Sequence, residues 1–298
     1  MRTRPRPKPG PDQNPRAEPG LNRSLPFEKD NMDSALFPHS PPCDSPSFAV
    51  QSLVIKDWPT LLLAALILLK TRSRPTDQML TLHTNFRSSC SGRLRIALNL
   101  KKIPCECVYV NLLKGEHRSE SYKTLNPSQS VPALVIPSKD HESFSIGQSV
   151  AALEYLEEAY PETLKLLPPP SDPVARAAIR SLVQIIASDI QPLTNMRIVR
   201  RVGDSGADAN TWARDFTAVG LAAYESAVTE TAGKYSYGDK ISIADCCLIP
   251  AVWGAQFYDV DMRPFSKVIG IYERLMVEPA VLKAHWRNQE DTPEELKN

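Results

Sequence analysis

The chain has 298 residues, and its 35 lysines and arginines balance 34 aspartates and glutamates. This length allows one large or two ordinary domains, and a net charge of +1 argues against a nucleic-acid partner. The six cysteines lack CxxC spacing and form no metal pattern with the five histidines. The composition therefore predicts a reduced compartment, no disulfide framework and no metal site.

Residues 1–77 differ in composition from the rest, because 11 of the 27 prolines fall within the first 46 residues. Such a segment cannot bury enough apolar surface to offset its ordering entropy, so we expect a disordered extension. Its apolar run, residues 61–69, is too short to span a bilayer. We expect no membrane anchor, and a cytoplasmic rather than a mitochondrial protein, since proline breaks the amphipathic helix of a presequence.

Residues 78–166 have an α/β pattern. The predicted strands cover residues 79–83, 105–111, 133–136 and 142–145. The predicted helices run from the Ser-Ser-Cys turn to residue 101, from 119 to 125 and from 148 to 160. The first strand, helix and strand fit a right-handed βαβ unit.

A proline-rich linker, residues 164–173, precedes a region without strand patterning. Helices are predicted there at residues 173–202, 210–231, 242–260, 264–276 and 280–286. Ser242 and Asp245 have the spacing of a capping box, so Asp245 is interpreted as structural.

The turn after the first predicted strand carries Ser88, Ser89 and Cys90 at the start of a helix. A helix N-terminus has partial positive charge and unpaired N–H groups. It can therefore hold an anion or favour a thiolate. The same residues also fit a plain N-cap with a buried cysteine behind it, and the local sequence leaves both interpretations open.

Two dipeptides also allow both a ligand-binding and a purely structural interpretation. The Val131–Pro132 bond precedes a predicted strand, and a cis bond there would turn the Val131 backbone outward, whereas a trans bond is ordinary at a strand start. Gln148 and Ser149 open a predicted helix, where they fit either a carboxylate pocket or a simple cap.

Together these motifs resemble the glutathione transferases, and three segments are similar to the zeta class, the maleylacetoacetate isomerases. They are residues 87–98, 125–134 and 190–195, and the closing residues 291–296 are also similar. The resemblance covers about residues 79–298. It implies a thioredoxin-like α/β domain at 78–166, an all-α substrate domain at 173–298, and a homodimer.

The resemblance implies glutathione as the cofactor. Ser88 would stabilise the glutathione thiolate, and Ser89 and Cys90 would line the same catalytic pocket. The cofactor-binding groups implied by the resemblance are the Val131 backbone for the cysteinyl unit, Gln148 and Ser149 for the γ-glutamyl carboxylate, and His117 near the glycine end.

The second substrate implied by the resemblance is a small dicarboxylic acid. Gln191 and Asn195 would face it from the first helix of the second domain, and the basic candidates to attract it are Arg87, Arg93 and Arg197. The thiolate would add to the cis double bond of maleylacetoacetate, permit rotation, and leave fumarylacetoacetate, a step of tyrosine and phenylalanine catabolism.

The chain departs from the family pattern at three places. Gly92 replaces a bulky residue, Met196 and Arg197 alter the segment after Asn195, and Phe257 stands where some members carry an arginine taken to bind a substrate carboxylate. Two alternatives therefore stay open: a general glutathione transferase acting on small electrophiles, and a non-catalytic interaction module of the same fold.

Overall fold

A computed structural model describes residues 79–138 and 142–297. The predicted extension at residues 1–77 lies outside the described residues, and so does its apolar run. Within the described ranges, no helix has the length and apolar character needed to cross a membrane.

The sheet has four strands: β1 (Leu80–Thr84), β2 (Cys105–Tyr109), β3 (Ala133–Ile136) and β4 (Phe144–Ile146). Their order is β2-β1-β3-β4. Strands β1 and β2 are parallel and are joined by helix α1 (Ser89–Lys101), which confirms the predicted βαβ unit. Strand β3 pairs antiparallel with both β1 and β4. This arrangement places the end of β1 and the start of β3 side by side.

The described residues contain nine further α-helices. They are α2 (Glu120–Leu125), α3 (Ser149–Ala159), α4 (Pro173–Gln184), α5 (Gln191–Thr194), α6 (Met196–Asp204), α7 (Ala209–Thr229), α8 (Ile243–Phe257), α9 (Ser266–Leu275) and α10 (Pro279–Ala284). Single 3₁₀ turns lie at Glu116–Arg118, Trp286–Asn288 and Glu294–Leu296. The α/β region followed by helices confirms the predicted fold class.

The single helix predicted at residues 173–202 is wrong, because the chain is interrupted twice there. A π-helical segment, Ile185–Ile190, separates α4 from α5. Asn195 then has an extended backbone, and its side-chain oxygen accepts a hydrogen bond from the N–H of Arg197. Asparagine side chains compete with the helix for backbone donors, which explains the second break.

Helix α8 is almost entirely buried and packs against both α1 and α4. One apolar cluster includes residues of β1, α1, α4 and α8, so the two predicted domains share a core. The exact boundaries of the two domains remain a prediction from the sequence. The predicted capping box is confirmed, since the Ser242 N–H donates to the Asp245 carboxylate at 2.7 Å. Burial of these residues fixes the start of α8.

Side chains of helix α8 lie close to Gly92, where the chain departs from the pattern that the resemblance implies. A Cβ atom at Gly92 would lie 3.0 Å from Pro250 Cγ and 3.2 Å from Trp253 Cζ3. The indole of Trp253 is buried. It therefore occupies space beside α1 that a bulky residue at position 92 would need.

Candidate active site

Ser88 begins helix α1 and is the centre of the candidate site. It is the N-cap residue, with an extended backbone (φ −69°, ψ 113°), and its hydroxyl accepts a hydrogen bond from the Ser91 N–H at 3.1 Å. Ser88, Ser89 and Cys90 are all partly exposed. Ser88 thus caps the helix and remains accessible, whereas the buried cysteine of the plain-cap interpretation is not found, because Cys90 is partly exposed.

The Val131 backbone lies against Ser88. The Val131–Pro132 peptide is cis, and the Ser88 hydroxyl donates to the Val131 carbonyl at 3.4 Å. Among the described residues the Val131 N–H has no hydrogen-bond partner. The fold therefore brings two of the sequence motifs together, with one peptide donor left for a ligand.

Ser149 and Gln148 are at the N-terminus of α3. Ser149 is buried, and its hydroxyl oxygen accepts a hydrogen bond from Arg93 Nη1 at 3.0 Å. Gln148 is exposed and its side chain makes no capping bond. Since a serine that accepts a bond can still donate its own O–H, this helix end offers donors to an anion.

Arg93 is not placed as the sequence suggested. It was expected to attract a dicarboxylate, but it is 2% exposed and points from α1 to Ser149. A side chain enclosed in this way cannot meet a substrate that approaches from solvent. The structure instead gives Arg93 a supporting position behind Ser149.

His117 lies in the 3₁₀ turn between β2 and α2. It is partly exposed, yet its Nδ1 atom is buried and has no hydrogen-bond partner in the described part of the chain. Burial, with the positive charges of Arg118 and Arg200, lowers the pKa of His117. The imidazole is therefore neutral near pH 7 and lies in a positive field that Arg200 contributes from helix α6.

The segment Gln191–Asn195 connects to helix α7 through Trp212, whose indole N–H donates to the Leu193 carbonyl at 3.0 Å. Gln191 and Asn195 are partly exposed. The oxygen of Asn195 caps α6, so its amide nitrogen is the group left to face a substrate.

The candidate arginines Arg87 and Arg197 are both exposed, and neither has an ion-pair partner among the described residues. Arg87 directly precedes Ser88, and its guanidinium lies over the ring of Phe257, at the end of α8. Phe257, which departs from the pattern that the resemblance implies, and Arg87, a candidate to bind the substrate carboxylate instead, are therefore neighbours.

Sequence reasoning missed Arg95 and the C-terminal Asp291 as residues that shape the site. Arg95 is 5% exposed and donates to the last residue of β1 and to two carbonyls of the β1–α1 loop, while Asp291 accepts from the N–H of Phe86. One signal was available for Arg95. An arginine inside the apolar run of residues 94–98 must be buried, and a buried guanidinium needs partners.

Comparisons with known proteins identify the family. Residues 87–159 match the model of the glutathione S-transferase N-terminal domain. The chain is 50% identical over 223 residues to the maleylacetoacetate isomerase of Aspergillus fumigatus, which covers 74% of this chain and 96% of that protein. The chain belongs to the maleylacetoacetate isomerase family, the zeta class of glutathione transferases.

Solved structures of this family agree with the fold. The maleylacetoacetate isomerase of Anaeromyxobacter dehalogenans 2CP-1, with GSH bound in its active site, is 35% identical, with a TM-score of 0.66. The match covers 72% of this chain and 98% of that one. A bacterial zeta-class maleyl pyruvate isomerase is 37% identical, with a TM-score of 0.65 and coverage of 72% and 100%. In this zeta-class chain, Ser88 and Val131 therefore lie in the domain that the glutathione transferase model describes.

Proposed function

We propose that this chain catalyses the glutathione-dependent isomerisation of maleylacetoacetate to fumarylacetoacetate, in tyrosine and phenylalanine catabolism. The observation that carries the proposal is the contact of the Ser88 hydroxyl with the Val131 carbonyl at the N-terminus of α1, in a chain of the maleylacetoacetate isomerase family. When bound, glutathione supplies a thiolate that adds transiently to the cis double bond and so permits rotation.

Ser88 stabilises the cofactor sulfur as a thiolate. Its contact with the Val131 carbonyl is long, at 3.4 Å, so little is lost when the hydroxyl turns to donate to a sulfur instead. A hydrogen bond to a charged group contributes about 1.5–3 kcal/mol, which corresponds to about one to two pKa units. The positive end of α1 acts in the same direction.

Each end of the cofactor carries a carboxylate, and the site offers positive charge to each. Ser149 and Gln148 receive the γ-glutamyl carboxylate, with the buried guanidinium of Arg93 behind Ser149. His117 lies at the glycine end, where Arg118 and Arg200 supply the charge. The free Val131 N–H is suited to the carbonyl of the cysteinyl unit. These donors fit an extended peptide with a carboxylate at each end.

The acidic substrate is proposed to meet Arg87 and Arg197, with Gln191 and Asn195 supplying neutral donors. Both arginines are exposed and unpaired among the described residues, so no internal carboxylate competes for them. A charge-assisted contact with a guanidinium is stronger than a neutral hydrogen bond. This arrangement favours a small acid over a neutral substrate.

Progress curves test the proposal. The full chain is given maleylacetoacetate or a neutral aromatic electrophile, each with and without glutathione. We expect rapid isomerisation that requires glutathione and slower conjugation of the neutral electrophile. Conjugation without isomerisation would favour a general glutathione transferase, a reading that Phe257 supports because it removes a family arginine. No turnover of either substrate would indicate the non-catalytic module.

We expect the protein to act as a cytoplasmic homodimer. All five cysteines in the described part of the chain are free thiols, which suits a reducing compartment. The dimer is inferred from the family alone. Light scattering with size-exclusion chromatography would measure a mass near 66 kDa, about twice the 33.1 kDa of the chain; a mass near that of one chain would contradict it.

A further inference from the structure

The loop between β1 and α1 is held at one residue, Phe86, from both sides. The N–H of Phe86 donates to Asp291 Oδ2 at 2.8 Å, and the carbonyl of Phe86 accepts from Arg95 Nη2 at 3.1 Å. Asp291 is 205 residues further along the chain than Phe86. Phe86 is followed directly by Arg87, which is proposed to meet the acidic substrate, and by Ser88, which is proposed to stabilise the thiolate.

Arg95 reaches three parts of the fold from helix α1. Its Nη1 donates to Thr84 Oγ1 and to the Asn85 carbonyl, both at 3.0 Å, and its Nε donates to the Ala284 carbonyl at 3.2 Å. Such a fork fixes the loop against the end of α10 in one geometry, since the guanidinium is planar. Arg95 therefore couples the loop to the C-terminal part of the chain.

The C-terminal segment is itself held in place. Gln289 Nε2 donates to the carbonyls of Lys283 and His285, at 2.9 and 2.8 Å, and the Thr292 hydroxyl donates to the Trp286 carbonyl. Gln289 and Thr292 are both buried. The carboxylate of Asp291 is thus presented to Phe86 by a folded segment rather than by a free end.

From this geometry we infer that Asp291 is a positioning residue for Ser88. It acts, together with Arg95, through the backbone of Phe86. Loss of the Asp291 acceptor leaves the Phe86 N–H without its partner, and a partly buried donor then recruits water or moves. Either change displaces Ser88 from the cofactor sulfur. The inference rests on the proposed role of Ser88 but not on the identity of the acidic substrate.

The carboxylate of Asp291 accepts with one oxygen only. Its Oδ2 takes the Phe86 N–H, whereas Oδ1 is buried without a partner among the described residues. Burial raises the pKa of Asp291, while the positive charge of Arg95 acts in the opposite direction. Asp291 therefore offers the loop a hydrogen-bond acceptor and offers the buried Arg95 a counter-charge. An asparagine can supply the same acceptor, which provides a conservative variant.

The test compares Asp291→Ala, Asp291→Asn and Glu290→Ala in the full chain. Glu290 is an exposed acid next to Asp291 without a side-chain hydrogen bond, so its variant is the matched control. Glutathione conjugation of a neutral electrophile gives kcat and KM, and ultraviolet titration gives the pKa of the bound thiol. Hydrogen exchange at residues 84–90, without glutathione, reports on the loop itself.

For Asp291→Ala we expect kcat to fall about tenfold, because a small misplacement of a reacting group has a large effect on rate. We expect KM for glutathione to stay within about twofold, the thiol pKa to rise by about half a unit to one unit, and exchange at Phe86 to accelerate. Asp291→Asn keeps the acceptor for the Phe86 N–H and should retain most of the kcat, and Glu290→Ala should match the unchanged chain.

Three results would overturn the inference. They are an unchanged thiol pKa with only a lower melting temperature, an equal loss in Asp291→Ala and Asp291→Asn, or an equal loss in Glu290→Ala. If Asp291→Ala fails to fold, Asp291→Glu replaces it, since it keeps the charge but moves the acceptor by one methylene. A chain that conjugates the neutral electrophile but does not isomerise maleylacetoacetate would refute the proposed function and leave this test intact.

Discussion

The guanidinium carbon of Arg87 lies 4.3 Å from the centroid of the Phe257 ring. Arg87 is in the β1–α1 loop beside Ser88, and Phe257 is the last residue of α8 and 58% exposed. A guanidinium that stacks on a ring keeps the N–H donors at its edge free for a carboxylate. The Phe257 ring, at a position where the family resemblance implies an arginine in some members, therefore supports a cation from another part of the chain.

The first prediction concerns this pair. Phe257→Leu should raise KM for maleylacetoacetate about two- to fivefold, because an exposed cation–π contact contributes about 0.5–1 kcal/mol. The variant should leave KM for a neutral electrophile unchanged. Phe257→Trp should retain the value of the unchanged chain, and Arg87→Ala should exceed the effect of Phe257→Leu. Steady-state kinetics with both substrates make the measurement.

Calorimetric titration with malonate, in the presence of glutathione, separates binding from turnover for the same variants. Weaker malonate binding by Arg87→Ala and Phe257→Leu would agree with the kinetics. Equal effects on the acidic and neutral substrates would show that neither residue acts on a carboxylate.

The second prediction concerns the thiolate. Ser88→Ala should lower kcat at least tenfold, since it removes the hydroxyl that is proposed to stabilise the cofactor sulfur, while glutathione still binds. Cys90→Ala should keep substantial activity, because the attacking sulfur belongs to glutathione. Single-turnover kinetics and glutathione binding isotherms separate the two effects.

A control is needed because Ser88 also caps α1, and loss of a cap costs about 1 kcal/mol of stability. Ser88→Thr keeps both the cap and the hydroxyl, and should restore most of the activity. Near-normal turnover of Ser88→Ala, with an inactive Cys90→Ala, would mean that the enzyme uses its own thiol.

Local chemistry made much of the fold predictable. The capping box at Ser242 and Asp245 and the βαβ unit around the Ser-Ser-Cys turn involve residues close in sequence, and both are present. The identity of the motifs then indicated the glutathione transferase fold. Strand ends were less accurate: β2 ends at Tyr109 rather than 111, because pairing with β1 stops there.

The site details that sequence reasoning missed depend on contacts between distant residues. Burial of Arg93 against Ser149, the stacking of Arg87 on Phe257 and the bond from Phe86 to Asp291 each join separate elements. Hydrophobic periodicity and motif spacing do not predict contacts between residues that are so far apart in the sequence. They follow only once α8 and the C-terminal segment have packed beside α1.

The third prediction concerns the buried ion pair of Lys101 and Glu157, which joins α1 to α3. Lys101 Nζ lies 2.6 Å from Glu157 Oε1, with side-chain exposures of 0% and 6%, and Glu157 also accepts from the Leu166 N–H at 3.0 Å. Lys101→Met should lower the free energy of unfolding by about 3–5 kcal/mol, because it leaves a buried carboxylate without its counter-charge. Urea unfolding makes the measurement.

The matched control is the pair Lys297 and Glu294, which has the same 2.6 Å distance but is largely exposed. Lys297→Met should cost at most about 1 kcal/mol, since water screens such pairs. Adding Glu157→Gln to Lys101→Met should recover part of the loss, and a double-mutant cycle gives the coupling. Equal costs for the two lysine variants would contradict the role of burial.

The last prediction concerns acid stability. Burial, assisted by Arg287 and Arg95, lowers the pKa of His285 to about 4 from its ordinary 6.5. Its Nδ1 accepts from the Arg287 N–H at 3.2 Å, and its ring packs 4.8 Å from Trp253, so the native state keeps the imidazole neutral. The unfolded chain takes up this proton below about pH 6.5, so stability should fall as pH drops from 6.5 toward 4. His285→Asn keeps a capping acceptor that does not titrate, and should flatten this part of the curve. Urea unfolding at several pH values between 7.5 and 4 compares the two slopes, and identical slopes would exclude His285 as a source of the acid sensitivity.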